Sequence, residues 1–208
     1  MSASQKNNDN RELAAWVIWV IAQLIILSLL AARVPLSAGF PKPVENAAPI
    51  AVTVTQLILA ISLAPRLLAN WRAVAMCSAA TIPITTFATI LAGATAQSAI
   101  APAALVILWL ATLHALNRVR GLAVQIIIRS LLLLLAVGGP ILWYVDVEYG
   151  RNQFAVTRVL SALSPTMGVI TTCLHPQYFW WISLFPAAIA MSLCIVTRTY
   201  RQPASMVH

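Results

Sequence analysis

Six apolar segments, separated by short polar or proline-rich stretches, constrain what this chain can fold into. A helix needs about 20 apolar residues to cross the hydrocarbon core of a bilayer. Because lipid offers no hydrogen bonds to the backbone, a crossing segment must satisfy its own N–H and C=O groups, which a helix does. We therefore predict an all-α membrane fold. The six predicted spans are residues 14–32, 49–63 (extending as far as 68), 74–95, 100–116, 122–144 and 179–196.

The composition agrees with a membrane protein. Hydrophobic residues make up 61% of the 208 residues and charged residues only 9%. We expect one polytopic membrane domain over residues 13–201, a polar cytoplasmic N-terminus over 1–12 and a short cytoplasmic tail over 202–208, with no room for a soluble catalytic domain. An Asn/Asp cluster in residues 1–12 is expected to cap a short helix before Glu12. The first apolar run lacks an Ala-x-Ala exit, so we interpret it as a retained span and not as a signal peptide.

A segment before the last span differs from the others. Residues 159–174 are too short and too rich in Ser and Thr to cross a bilayer alone, and Pro165 interrupts them. Proline breaks a helix because it lacks an N–H and its ring clashes with the preceding turn. We predict a non-spanning helical element that is broken near Pro165 and lies at the membrane surface or re-enters the membrane.

Lysine and arginine residues are distributed unevenly between the two sides of the predicted topology. One side carries eight of them and the other four, with Arg129 inside a span. The eight are Lys6, Arg11, Arg66, Arg72, Arg118, Arg120, Arg198 and Arg201, and the four are Arg33, Lys42, Arg151 and Arg158. Cytoplasmic loops carry the excess of positive charge, so we predict that both termini are cytoplasmic, in a bacterial inner membrane. The net charge of +8 is thereby assigned to topology and not to a nucleic-acid partner.

Several functional classes are disfavoured by what the spans contain. The sequence has no Asp or Glu between Asn46 and Val145, whereas ion pumps and proton-coupled transporters need a carboxylate in the membrane. His114, His175 and His208 fall at different levels of the predicted topology, and the three cysteines form no CxxC motif. No serine lies in a Gly-x-Ser-x-Gly elbow. We expect no enzymatic activity, no cofactor and no metal.

Arg129 is the charged residue inside a predicted span. It lies eight residues after Gly121, roughly 12 Å into a hydrocarbon half-layer of about 15 Å. Gln125 lies one turn away on the same helix face. Arg129 and Gln125 form our candidate intramembrane polar site, with two interpretations. The guanidinium either snorkels to the headgroups or makes a structural hydrogen bond, or else it contacts an anionic substrate or a partner subunit.

Four further polar residues lie in the first two spans: Gln23, Thr53, Thr55 and Gln56. Polar side chains inside a membrane bundle commonly make hydrogen bonds between helices. We expect that role for all four, and lining of a polar path is the alternative.

Two segments carry a resemblance to a known family. VLSALSPTMGVITT (159–172) precedes a Trp-rich start and a terminal span ending in TRTYRQ (197–202), and LAPRLLANWRA (63–73) connects spans two and three. With six spans and cytoplasmic ends, the chain resembles the type-2 membrane-spanning permease subunits of ATP-binding-cassette exporters. The resemblance implies a separate ATPase subunit and a second permease half, with substrate passing between the halves. It also implies that Arg66, Asn70, Trp71 and Arg72 contact the ATPase, through a short helix.

An anchoring role is the simpler interpretation of the same four residues. Trp at headgroup depth and two arginines on anionic lipid would hold the loop at the interface. At the level of the whole chain, the alternative is a structural or assembly subunit of a larger membrane complex. Its spans would pack by small residues and bind no substrate.

Overall fold

The computed structural model describes residues 3–33, 47–149, 159 and 163–199, and every regular element within them is helical. The α-helices are α1 (Ala3–Arg33), α2 (Ala47–Leu67), α3 (Trp71–Leu91), α4 (Ile100–Asn117), α5 (Leu122–Glu148), α6 (Pro165–Leu174) and α7 (Phe179–Thr199). Two short 3-10 helices, Ala96–Ala99 and Pro176–Tyr178, lead into α4 and α7. Six of the described helices, all but α6, are long and apolar enough to cross a membrane. The predicted multi-pass helical fold is confirmed.

Two local predictions need correction. The polar residues before Glu12 do not form a separate capped helix, because α1 runs without interruption from Ala3 to Arg33. The connection between α2 and α3 consists of residues 68–70 only and holds no separate helix. Its last residue, Asn70, is the N-cap of α3, since its side-chain Oδ1 accepts the backbone N–H of Ala73 at 2.8 Å. The cap starts α3 directly at Trp71.

Helices α2 and α4 form the centre of the bundle. Half of the α2 span and 61% of the α4 span are buried, against 17% for α5 and 6% for α7. α2 packs against α1, α3, α4, α5 and α6, and α4 packs against α3, α6 and α7 as well. Trp109 of α4 meets Phe185 of α7 edge to face, with ring centroids 6.1 Å apart. The outer faces of α5 and α7 are consequently left to lipid or to other chains.

The bundle has two ends, which we name after one residue at each. The Arg72 end holds the α2–α3 connection, the last turns of α4 and α7 and the first turn of α5. The Pro49 end holds the first turns of α2 and α4 together with the last turn of α6. Helix α1 begins near the Arg72 end, where Asn70 Nδ2 donates to Glu12 Oε2 at 2.9 Å.

The short helix α6 lies within the bundle near the Pro49 end. Ser164 is its N-cap and Pro165 its first residue, so the predicted break near Pro165 is the start of a helix. Residues 164–169 and Thr172 are buried. Thr166 Oγ1 donates to the carbonyl of Ala136 in α5 at 2.5 Å. Of the two predicted locations, the packing fits a re-entrant helix enclosed by spans, because a helix on the membrane surface would leave one face exposed.

Glycine permits the closest approaches around α6. A Cβ on Gly139 of α5 would collide with the Cβ and Oγ of Ser164. A Cβ on Gly168 of α6 would lie 3.0 Å from a methyl group of Ile182 in α7. The absence of side chains at these two positions therefore lets α6 sit between α5 and α7.

Several predictions concern residues outside the described ranges. They are the loop after Arg33, most of the loop around Arg151, the segment 160–162, the tail 202–208 and His208.

Candidate functional site

The four predicted contact residues of the α2–α3 connection lie together at the Arg72 end. Arg66 is in the last turn of α2, Asn70 caps α3, and Trp71 and Arg72 are the first two residues of α3. All four are exposed. Asn70 makes two hydrogen bonds, one with Ala73 and one with Glu12, and the two arginines beside it are exposed. The two helix ends on either side of the connection thus present two cations and one indole ring.

Trp71 also contacts the interior. Its ring centroid lies 4.6 Å from that of His114 in the last turn of α4, with the two planes tilted by 51°. His114 is 1% exposed, and its Nδ1 lies 2.8 Å from the carbonyl oxygen of Leu68. His175, by contrast, follows α6 at the Pro49 end. The prediction that these two histidines lie at different levels is confirmed.

Arg129 and Gln125, the predicted polar pair, do meet. Arg129 Nη2 donates to Gln125 Oε1 at 2.8 Å and to Asn117 Oδ1 at 2.6 Å. Because Asn117 is the last residue of α4, the guanidinium reaches from inside the α5 span to the level of the α4 end. The direction of the Arg129 side chain matches snorkelling toward the Arg72 end, but its guanidinium donates to two amide oxygens of the protein.

Asn117 connects this pair to a third helix. Its Nδ2 donates to the carbonyls of Ala64 and Leu68, at 2.7 and 3.1 Å. Gln125 Nε2 donates in turn to the carbonyls of Asn117 and Val119, at 3.1 and 2.7 Å. We call His114, Asn117, Gln125 and Arg129 the Arg129 cluster. Its bonds occupy carbonyls at or beside the C-terminal ends of α2 and α4, where the last helical carbonyls lack partners within the helix.

The electrostatics of the Arg129 cluster are those of an isolated cation. The acceptors described for Arg129 are neutral amide oxygens, and its Nε is buried without a partner among the described residues. His114 Nε2 is likewise buried without a partner in that part of the chain. The cluster can therefore join three helix ends, and it retains a positive charge and an unused imidazole nitrogen.

The predicted hydrogen bonds between helices are present for Gln23, Gln56 and Thr53. Gln56 Nε2 donates to Gln23 Oε1 at 2.8 Å, and both side chains are fully buried. Thr53 Oγ1 lies 3.8 Å from Cys173 Sγ in α6 and also donates within α2 to the carbonyl of Pro49, whereas Thr55 donates within α2 to the carbonyl of Ala51. A threonine hydroxyl in a helix readily bonds to the carbonyl one turn back, which gives Thr55 a partner within its own helix.

Sequence reasoning missed two members of the Arg129 cluster. Asn117 carried no prediction, and His114 was considered only together with the other two histidines. Only their position, one turn apart at the end of α4 beside a short connection, could have indicated a shared environment. The described residues contain no group of three His, Cys, Asp or Glu side chains that could hold a metal ion.

Comparisons with protein-family models, with curated protein sequences and with solved structures found no match.

Proposed function

We propose that this chain is the permease subunit of an ATP-driven exporter, working with a separate ATPase and a second permease half. One observation carries the proposal: a short helix, α6, is enclosed by spans immediately before the terminal span. In this arrangement the N-terminus of a short helix would lie at membrane depth, shielded by protein. It corresponds to the segment 159–172, one of the features on which the family resemblance rests.

The proposal assigns the Arg72 end to the cytoplasm of a bacterium and the chain to its inner membrane. Arg66, Arg72, Arg118 and Arg120 are all exposed at that end. By sequence count, eight cations would lie on that side and four on the other, which supports cytoplasmic termini by the positive-inside rule.

The ATPase would then bind at the α2–α3 turn. Trp71 is 57% exposed while resting against His114, and Arg66 and Arg72 flank it. Trp and Arg are the residue types that dominate protein–protein interfaces, because they combine large contact area with specific hydrogen bonds. Asn70 would support this surface indirectly, by capping α3.

Purification in a mild detergent, followed by mass spectrometry of the co-purifying proteins, tests the proposal. An ATPase should accompany the unmodified protein and should be lost from the double variant Trp71→Ala with Arg72→Glu. Arg120→Glu is the matched control, because it reverses an exposed charge at the same end but outside the turn. If no ATPase accompanies the unmodified protein, the permease proposal fails.

A structural or assembly subunit of a larger membrane complex is the second candidate. The three-residue connection 68–70 favours it, since so short a turn leaves no separate helix to insert into a groove of an ATPase. In this case the same purification should recover other integral membrane proteins in place of an ATPase. The double variant at Trp71 and Arg72 should then leave that complex intact.

A further inference from the structure

A cavity of about 280 Å³ lies beside the Arg129 cluster at the Arg72 end. It lies between the first residue of α3, the end of α4 and the last turns of α7, and it is open on one side. The described residues that line it are Trp71, His114, Ala115, Arg118, Cys194, Ile195 and Thr197. Since these are the ends of spanning helices, the cavity lies at the depth where lipid headgroups meet the protein.

His114 lines this cavity and carries a buried hydrogen-bond acceptor that is unused within the described residues. Its Nδ1 contacts the carbonyl oxygen of Leu68, which can only accept, so Nδ1 carries the proton. In the neutral ring, Nε2 then presents a lone pair, and it has no partner among the described residues. A buried acceptor left unpaired is unfavourable, so a ligand with an N–H donor would be stabilised there.

Two further features favour a cationic donor. The indole ring of Trp71 lies against the imidazole, and an aromatic face attracts a cation. The C-terminal end of α4 carries the negative end of its helix dipole. A phosphate on the ligand would need a cation of the protein. The exposed residue Arg118 lines the same cavity, and its guanidinium suits a phosphate.

We propose that this cavity binds a headgroup in which a primary ammonium is linked to a phosphate, as in phosphatidylethanolamine. The ammonium donates to His114 Nε2 beside the Trp71 ring, and the phosphate pairs with Arg118. Ile195, an exposed apolar residue that lines the same cavity, would contact the acyl chain. Choline headgroups lack an N–H donor, and glycerol headgroups lack the positive charge. The site should therefore distinguish among the three.

Native mass spectrometry of the full chain with defined lipids tests the site. Phosphatidylethanolamine should be retained over phosphatidylcholine and phosphatidylglycerol of the same acyl chains by roughly three- to tenfold, the value of one hydrogen bond. His114→Phe keeps an aromatic ring against Trp71 and leaves Asn117 on the Leu68 carbonyl, and it should abolish the preference over phosphatidylcholine. Equal retention of the lipids by the unmodified protein would overturn the proposal.

Arg118→Gln provides a second test that does not depend on a buried residue. Because both lipids carry a phosphate, this variant should reduce the retention of phosphatidylethanolamine and of phosphatidylcholine to the same extent. Arg120→Gln, an exposed arginine that does not line the cavity, should change neither. Identical behaviour of the two arginine variants would refute the phosphate contact.

Soluble phosphoethanolamine added in excess distinguishes the source: displacement of the lipid assigns the site to a free headgroup compound, and retention assigns it to the lipid.

Discussion

At the Arg72 end, α2, α4 and α5 meet through long polar side chains, whereas at the Pro49 end α5, α6 and α7 meet through small ones. Arg129, Asn117 and Gln125 bridge the first junction by hydrogen bonds of 2.6 to 3.1 Å. At the second, Gly139 and Gly168 allow the helices to approach closely, and Thr166 adds one hydrogen bond to the carbonyl of Ala136. The first junction should tolerate a change of shape better than a change of chemistry, and the second the reverse.

The largest effect is expected from Gly139→Val. The new side chain would collide with Ser164 at the N-cap of α6, so α6 could not keep its position. Overpacking of this kind costs about 3 kcal/mol at the upper part of its usual range. Thermal unfolding in detergent, followed by loss of helicity, measures it. Gly138→Val is the matched control, because a Cβ on Gly138 meets nothing within 4 Å. Equal destabilisation by both variants would contradict the close packing of α5 on α6.

A smaller loss of stability is expected from breaking the Arg129 cluster. Asn117→Ala removes the 2.6 Å acceptor of a charged donor, and hydrogen bonds to charged groups contribute about 1.5–3 kcal/mol. In a double-mutant cycle, Asn117→Ala should lower the free energy of unfolding much less when Arg129 is already replaced by leucine. Additive losses would show that the two residues do not stabilise each other.

Arg129→Leu also separates structure from transport. If the cluster only joins helix ends, the variant should lower stability, while any transport activity per folded molecule stays unchanged. Loss of transport in protein that still folds and inserts would instead indicate that Arg129 contacts an anionic substrate or a partner subunit.

The smallest effect is expected from the neutral pair between α1 and α2. Double-mutant cycles of hydrogen bonds inside membranes average about 0.6 kcal/mol. The coupling between Gln23→Leu and Gln56→Leu should have that size, well below the coupling between Asn117 and Arg129. An equal coupling in the two cycles would remove the distinction that we draw between charged and neutral junctions.

Hydropathy was sufficient to locate the spans. Each long apolar run became a spanning helix, and α4 and α5 begin at the predicted residues, Ile100 and Leu122. This works because the free energy of transfer into lipid is mainly a sum over the residues of one segment. The break at Pro165 was predictable for a similar reason, since a proline acts on its own backbone.

The contacts between helices were not predictable in the same way. The pairing of Arg129 with Gln125 follows from the i, i+4 spacing on one helix, but the contact with Asn117 depends on how α4 and α5 are rotated. The predicted helix between α2 and α3 was wrong because the Asn70 cap starts α3 immediately. The enclosure of α6 likewise depends on Gly139, a residue distant in sequence from the part of α6 that it admits.

The central claim is that α6 returns to the Pro49 end without crossing, so that six spans and not seven traverse the membrane. Single cysteines at Gln97, Arg120 and Gln177, all exposed sites, are introduced after replacement of the three native cysteines. An impermeant thiol reagent is then applied to intact cells. Gln177 should be labelled together with Gln97, at the Pro49 end, and Arg120 should be protected until the membrane is permeabilised. Labelling of Gln177 with Arg120, and not with Gln97, would contradict the account.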